Sequence, residues 1–268
     1  MYLIVTVTVI LFAFFVATSV VPWLIDLLTD HDVAPDKPWP FGYRTAWLAI
    51  RSDDTANVLE CLQLTNVQNV NWRTGISTIY DEELSDYYVF VSPPAAGWTY
   101  VVGLALPHPV GARFLDKCTP LLTALAKRFG DVQYFFTYPV IELYAWARFS
   151  GGELVRAFAW GDEGVIWNKG RVTEAERALG LKVFELRRLG TGRAKVRQGD
   201  DDATGYPGED NVLTLARRWG IDPTRLDRRA VEPGLGYVGQ VPDDWRIKRL
   251  KPKSQPKLRP KSELRPIE

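Results

Sequence analysis

Met1 to Ile25 carries no charged side chain, and Leu3 to Val21 is almost continuously apolar. At about 1.5 Å per residue, such a run can cross a hydrocarbon core of roughly 30 Å. A transmembrane helix over residues 1–28 is therefore expected. A cleaved signal peptide would want Lys or Arg ahead of the run. None is present, and Ala17-Thr18-Ser19 is a poor cleavage site. A buried core element is the remaining reading, favoured by Thr6, Thr8 and the Val/Ile content. Pro35, Pro38 and Pro40 then mark residues 29–43 as a stiff spacer lifting a body off the bilayer. Lys37 and Arg44 on this flank favour a single-pass protein with a cytoplasmic body.

From residue 44 the pattern alternates between strand and helix. Thr45 to Arg51 has strand composition, and Ser52-Asp53-Asp54 supplies a cap for a helix over Thr55 to Leu64. Val67 to Trp72 returns to strand. Tyr87 to Ser92 and Trp98 to Leu106 pair as a hairpin across Pro93–Gly97. Leu121, Leu125 and Phe129 then recur on one helical face, behind Thr119 as cap and ahead of Gly130 as stop. Asp131 to Thr137 is a strand, followed by a hairpin of Val140–Phe149 and Glu153–Trp160 around Ser150-Gly151-Gly152. Val165–Trp167 is a short strand. Thr173-Glu174-Ala175-Glu176 is a capping box, and Asn211 to Trp219 forms a further helix.

This order predicts an α+β body over 44–242, an antiparallel sheet with helices on one face. Two organisations fit it. Residues 44–110 and 115–170 could be similar helix–strand–hairpin halves, with the two strands offset by 65 residues and only Val67/Val132 and Gln68/Gln133 identical. The alternative is one α+β domain with no internal repeat. Beyond Asp243 the chain is rich in Pro, Lys and Arg, and a disordered tail over 243–268 is expected.

Gly130-Asp131-Val132-Gln133-Tyr134-Phe135, Tyr144-Ala145-Trp146-Ala147 and Trp167-Asn168-Lys169-Gly170 resemble an uncharacterised family of bacterial α+β proteins with VQYF, HAWA and WNxG stretches. The likeness spans roughly Trp47 to Gly239 and implies the fold class and a bacterial origin only, with no assigned activity; the expected span over residues 1–28 then makes the bacterial inner membrane the expected location. Tyr144 stands where the family pattern carries a His, so chemistry by that His is not carried over.

Charge changes the picture more than composition does. The net charge is +1, yet nine Lys/Arg and two Glu from Arg246 onward leave 24 basic and 30 acidic residues before them. A near-neutral total hides a −6 body and a +7 tail. Arg246, Lys248, Arg249, Lys251, Lys253, Lys257, Arg259 and Lys261 could lie on anionic headgroups, at about 1 kcal/mol each. The tail could equally serve an acidic partner, the body itself being one.

Two Cys and two His exclude a disulfide scaffold and a multi-ligand zinc site. A Cys61–Cys118 bridge is conceivable only in an exported body. Asp200, Asp202, Thr204 and Gly205 match the start of a calcium loop, but its twelfth position is Asn211 instead of Glu. Asn211 to Arg225 resembles half of a helix-turn-helix, with no recognition helix to complete it, so no nucleic acid is expected. Weak catalytic candidates are His108, between two prolines, and Glu142, within an apolar strand pattern. Glu153, Asp162 and Glu163 are the carboxylates that could pair with Glu142 for acid–base work. Alternation places Glu142 more simply on the solvent face, paired across strands with Arg148 or Arg156. The reading is a membrane-anchored, non-enzymatic protein-binding module, an immunity or accessory factor being one case, with no cofactor or metal. A carboxylate/His hydrolase with its site between the halves, or a lipid-surface protein, are the alternatives.

Overall fold

The structure is a computed structural model that describes residues 34–162, 164–181, 205–226 and 231–248. The expected membrane span and most of the basic tail lie outside these residues. Among the described residues no helix is long and apolar enough to cross a membrane.

The body is α+β, built on one nine-stranded antiparallel sheet. In chain order the strands are β1 (Ala46–Ile50), β2 (Thr65–Asn71), β3 (Tyr88–Val91), β4 (Thr99–Val102), β5 (Val132–Tyr138), β6 (Leu143–Ser150), β7 (Glu153–Gly161), β8 (Gly164–Gly170) and β9 (Leu235–Gln240). Across the sheet they run β2-β9-β3-β4-β1-β5-β6-β7-β8. The helices are α1 (Thr55–Leu62), α2 (Trp72–Ile79), α3 (Cys118–Phe129), α4 (Glu174–Arg177) and α5 (Glu209–Arg218).

Period-two alternation sends β1 side chains to two different cores. Trp47 and Ala49 join Phe135, Trp146 and Phe158 on one face, under α2 and α5. Ala46, Leu48 and Ile50 join Tyr134, Phe136 and Ala145 on the other, under α1 and α3. Helices therefore cover both faces, not one. The cause is legible in β1 itself: all five residues are buried, so neither face can be left to water.

The two-halves reading fails at strand placement. β2 is an edge strand paired with β9, whereas its counterpart β5 is central, between β1 and β6. An extra helix, α2, follows β2, and β9 separates β2 from β3. The outcome is one sheet with dissimilar wings.

The expected spacer is part of the body from Asp36 onward. Its carboxylate accepts from the Trp72 and Arg73 amides at 2.6 and 3.0 Å, capping α2, and its backbone bridges to Gly234. Phe41 is buried, with its amide donating to the Pro223 carbonyl at 3.1 Å. The tail likewise starts later than Asp243. Asp243–Trp245 is a 3-10 turn, the Arg246 guanidinium lies over the Tyr87 ring at 5.2 Å, and the Lys248 carbonyl accepts from the Leu115 amide at 3.0 Å.

Candidate functional site

The β4–α3 loop, the β5–β6 turn and the β7–β8 turn come together at one end of the sheet. Between them runs a groove of about 600 Å³, walled by His108, Phe114, Val140, Ile166 and Ile247. Glu142 and Asp162 also face it. A second lobe of about 340 Å³ continues past His108 and Ile247, which line both, towards Asp86 and Tyr87. The rim is unusually apolar for a surface: Val140 is 67% exposed, Ile247 49% and Ile141 47%.

Glu142 arrives there by a turn, not a strand. Tyr138 ends β5, Pro139 starts the 3-10 turn Pro139–Ile141, and Glu142 closes it in the left-handed conformation at φ 49°. Its carboxylate is thus exposed at the groove, beside no strand partner. Arg156, the expected neighbour, is fully buried on the sheet face that carries Trp146 and Phe158. There its Nε donates to Glu176 Oε1 at 2.7 Å, and one terminal nitrogen donates to Asn168 Oδ1 at 2.8 Å. Arg148 lies with its guanidinium over the Trp219 ring at 5.9 Å.

His108 sits on a wall between Pro107 and Pro109, its ring 5.1 Å from that of Phe136. Burial pushes its pKa down to about 4, so the imidazole is neutral at physiological pH. Among the described residues no hydrogen bond fixes the imidazole or the carboxylates of Glu142 and Asp162; the Glu142 amide donates to the Pro139 carbonyl at 3.0 Å. Sequence reasoning names His108 and Glu142 separately; the fold brings them to one groove with Asp162, Glu153 lies at the opposite end of β7, and Glu163 lies outside the described residues. The exposed apolar rim escapes sequence reasoning, because Val140 and Ile141 read as buried strand.

A hydrogen-bonded acidic cluster sits at the start of α5. The Glu209 carboxylate accepts from the Arg44 amide at 2.7 Å and from the Thr137 hydroxyl, while Tyr43 donates to Asp210 at 3.2 Å. Burial raises the Tyr144 pKa, helped by the charges of Glu209 and Glu142. The Tyr80 hydroxyl donates to the Tyr43 carbonyl at 2.7 Å, and burial pushes its pKa up to about 12.

The other predicted positions separate. Asp200 and Asp202 lie outside the described residues; Asn211 caps α5, its Oδ1 accepting from the Gly208 amide at 2.8 Å. Among the described residues no group of three or more His, Cys, Asp or Glu could hold a metal ion. Cys61 and Cys118 are free thiols. Arg246 is held against the body by Tyr87 and by Asp243 at 3.5 Å. Lys248 is exposed at the end of the described chain, and Arg249, Lys251, Lys253, Lys257, Arg259 and Lys261 lie beyond it. No protein-family model, curated protein or solved structure matches this chain.

Proposed function

We propose that this chain is a membrane-anchored protein-binding module whose groove takes a partner segment carrying Lys or Arg interleaved with apolar residues. The carrying observation is the open groove itself, with exposed Val140, Ile141 and Ile247 on its rim and Asp86, Glu142 and Asp162 on its lining. Contiguous exposed apolar surface edged by charge is the usual mark of a docking surface. An acid–base enzyme is the weaker reading of the same residues. Its carboxylates would need to be held within hydrogen-bond reach of a reacting proton, whereas the Glu142 and Asp162 side chains are both exposed and, among the described residues, no hydrogen bond positions either carboxylate. The anchor rests on the apolar run Met1–Ile25, and a toxin-neutralising accessory factor is one case of such a binder.

A random peptide display library, panned against the full chain in uncharged detergent micelles, tests this. Peptides mixing cations with Leu or Ile should be enriched. Their affinity should fall at least tenfold for Glu142→Lys with Asp162→Lys, and separately for Val140→Asp with Ile141→Asp. A library that yields no peptide distinguishing the native chain from either variant sinks the reading.

A further inference from the structure

The last described residues are themselves a wall of the groove. Trp245 packs against the sheet core, Ile247 lines both lobes, and the Leu115 amide holds the Lys248 carbonyl. The chain is thus delivered at a fixed point on the rim. The next thirteen residues, Arg249-Leu250-Lys251-Pro252-Lys253-Ser254-Gln255-Pro256-Lys257-Leu258-Arg259-Pro260-Lys261, contain six cations, two leucines and no acidic residue. This is the composition the groove asks of a ligand: cations for Asp86, Glu142 and Asp162, and leucines for the apolar wall. Proline at every fourth position favours an extended conformer, so little ordering entropy is lost on docking. At about 3.1 Å per residue the segment reaches roughly 40 Å. A tether this short gives a local concentration in the millimolar range.

We infer that residues 249–261 are the groove's resident occupant, a self-docking segment that a partner must displace. The inference rests on the groove being a docking site for basic, apolar-studded peptide. Affinity for any outside segment is then lowered by the fraction of chains whose groove is filled.

Zero-length carbodiimide coupling of the full chain in uncharged micelles, read by mass spectrometry, tests the placement. Intrachain links should join Lys251, Lys253 or Lys257 to Asp86, Glu142 or Asp162. They should exceed links to exposed Glu60 and to Glu153, at the opposite end of β7 from the groove, several-fold. A second measurement uses a labelled synthetic peptide of residues 249–261 as probe. It should bind the variant carrying Lys251→Gln, Lys253→Gln, Lys257→Gln and Arg259→Gln at least tenfold more tightly than the native chain. Adding Glu142→Lys and Asp162→Lys should abolish that binding. Links spread evenly over surface carboxylates, or equal peptide binding by the native and tail-neutralised chains, overturn the inference. If library peptides still bind in a groove-dependent way, the binder reading survives that failure. If nothing binds the groove in either chain and no groove links form, both fall.

Discussion

Glu176 divides its two carboxylate oxygens between two tasks. Oε1 accepts from the Trp146 indole at 2.8 Å and from Arg156, while Oε2 closes the capping box on the Thr173 amide at 2.7 Å. The pair is fully buried, so its attraction is strong but the loss of one partner leaves a charge stranded away from water. Glu176→Gln should cost about 3–5 kcal/mol in urea denaturation, whereas Arg156→Met combined with Glu176→Leu should cost less than that single change. Two of the three family-like stretches meet in this network: Trp146 and Asn168 hydrogen-bond within it, and Gly170 ends the strand at φ 77°, where a Cβ would lie 2.2 Å from the Val155 carbonyl oxygen. Trp146 and Asn168 are thereby tied into the buried network of this sheet face. His108 gives the residue scale a pH signature. Its folded pKa lies below its ordinary 6.5, so the unfolded chain binds the extra proton. Its contribution is complete above about pH 6.5 and is lost as pH falls towards 4, at up to about 1.4 kcal/mol per pH unit within that window. His108→Phe should flatten that part of a stability–pH curve; an unchanged slope would show the imidazole to be solvated.

At the scale of elements, legibility follows local signals. β1, α1, the β3–β4 and β6–β7 hairpins and α5 are all readable, because each is bounded by a cap, a turn or a glycine stop and carries one clean periodicity. α3 is readable with its start displaced: Lys117 precedes it, and the Asp116 side chain, not Thr119, accepts from the first-turn amide of Thr119. Two elements, α2 and β9, are missing from the sequence reading, and both contain glycine. Gly75 sits within α2 because the Phe90 ring fills the place of its side chain, a Cβ there falling 2.1 Å from Cδ2. Gly236 and Gly239 lie in β9 for a related reason. A Cβ on Gly236 would fall 2.4 Å from the Val91 carbonyl oxygen, and one on Gly239 would fall 2.9 Å from Leu64. Such requirements come from neighbours distant in sequence and leave no local mark. The Val91 oxygen belongs to the backbone and cannot swing away, so Gly236→Ala should destabilise by about 1–3 kcal/mol, measurable in thermal or urea melts. A neutral result would mean that β9 shifts along its neighbours at little cost.

For the whole molecule, the charge split is more informative than the elements. The acidic body and basic end are visible in the sequence, but the place where they meet is not, since the groove is assembled from residues of loops 104–114 and 139–143, from Gly161 and Asp162 and from residues 245–247. If residues 249–261 do occupy it, raising ionic strength acts on the body and the tail together, because charges at such a solvent-open site are screened within about 8–10 Å. Candidate chemistry is half legible for the same reason: His108 and Glu142 can each be picked out by type, and only the fold shows that they share a wall with exposed aliphatic residues instead of a fixed acid–base partner. The sheet order carries a separate consequence for synthesis. In the sheet, β2 and β3 are bridged by β9, which pairs with both and leaves the ribosome more than 150 residues after β2. At roughly 5–20 residues per second, that interval is on the order of ten to thirty seconds. Throughout it, this wing of the nascent sheet holds a vacant strand-wide slot with two unpaired edges, the kind of surface on which chains associate wrongly. Completion of this wing therefore waits for a strand far along the chain, and the strand that seals it lies just ahead of the residues that wall the groove.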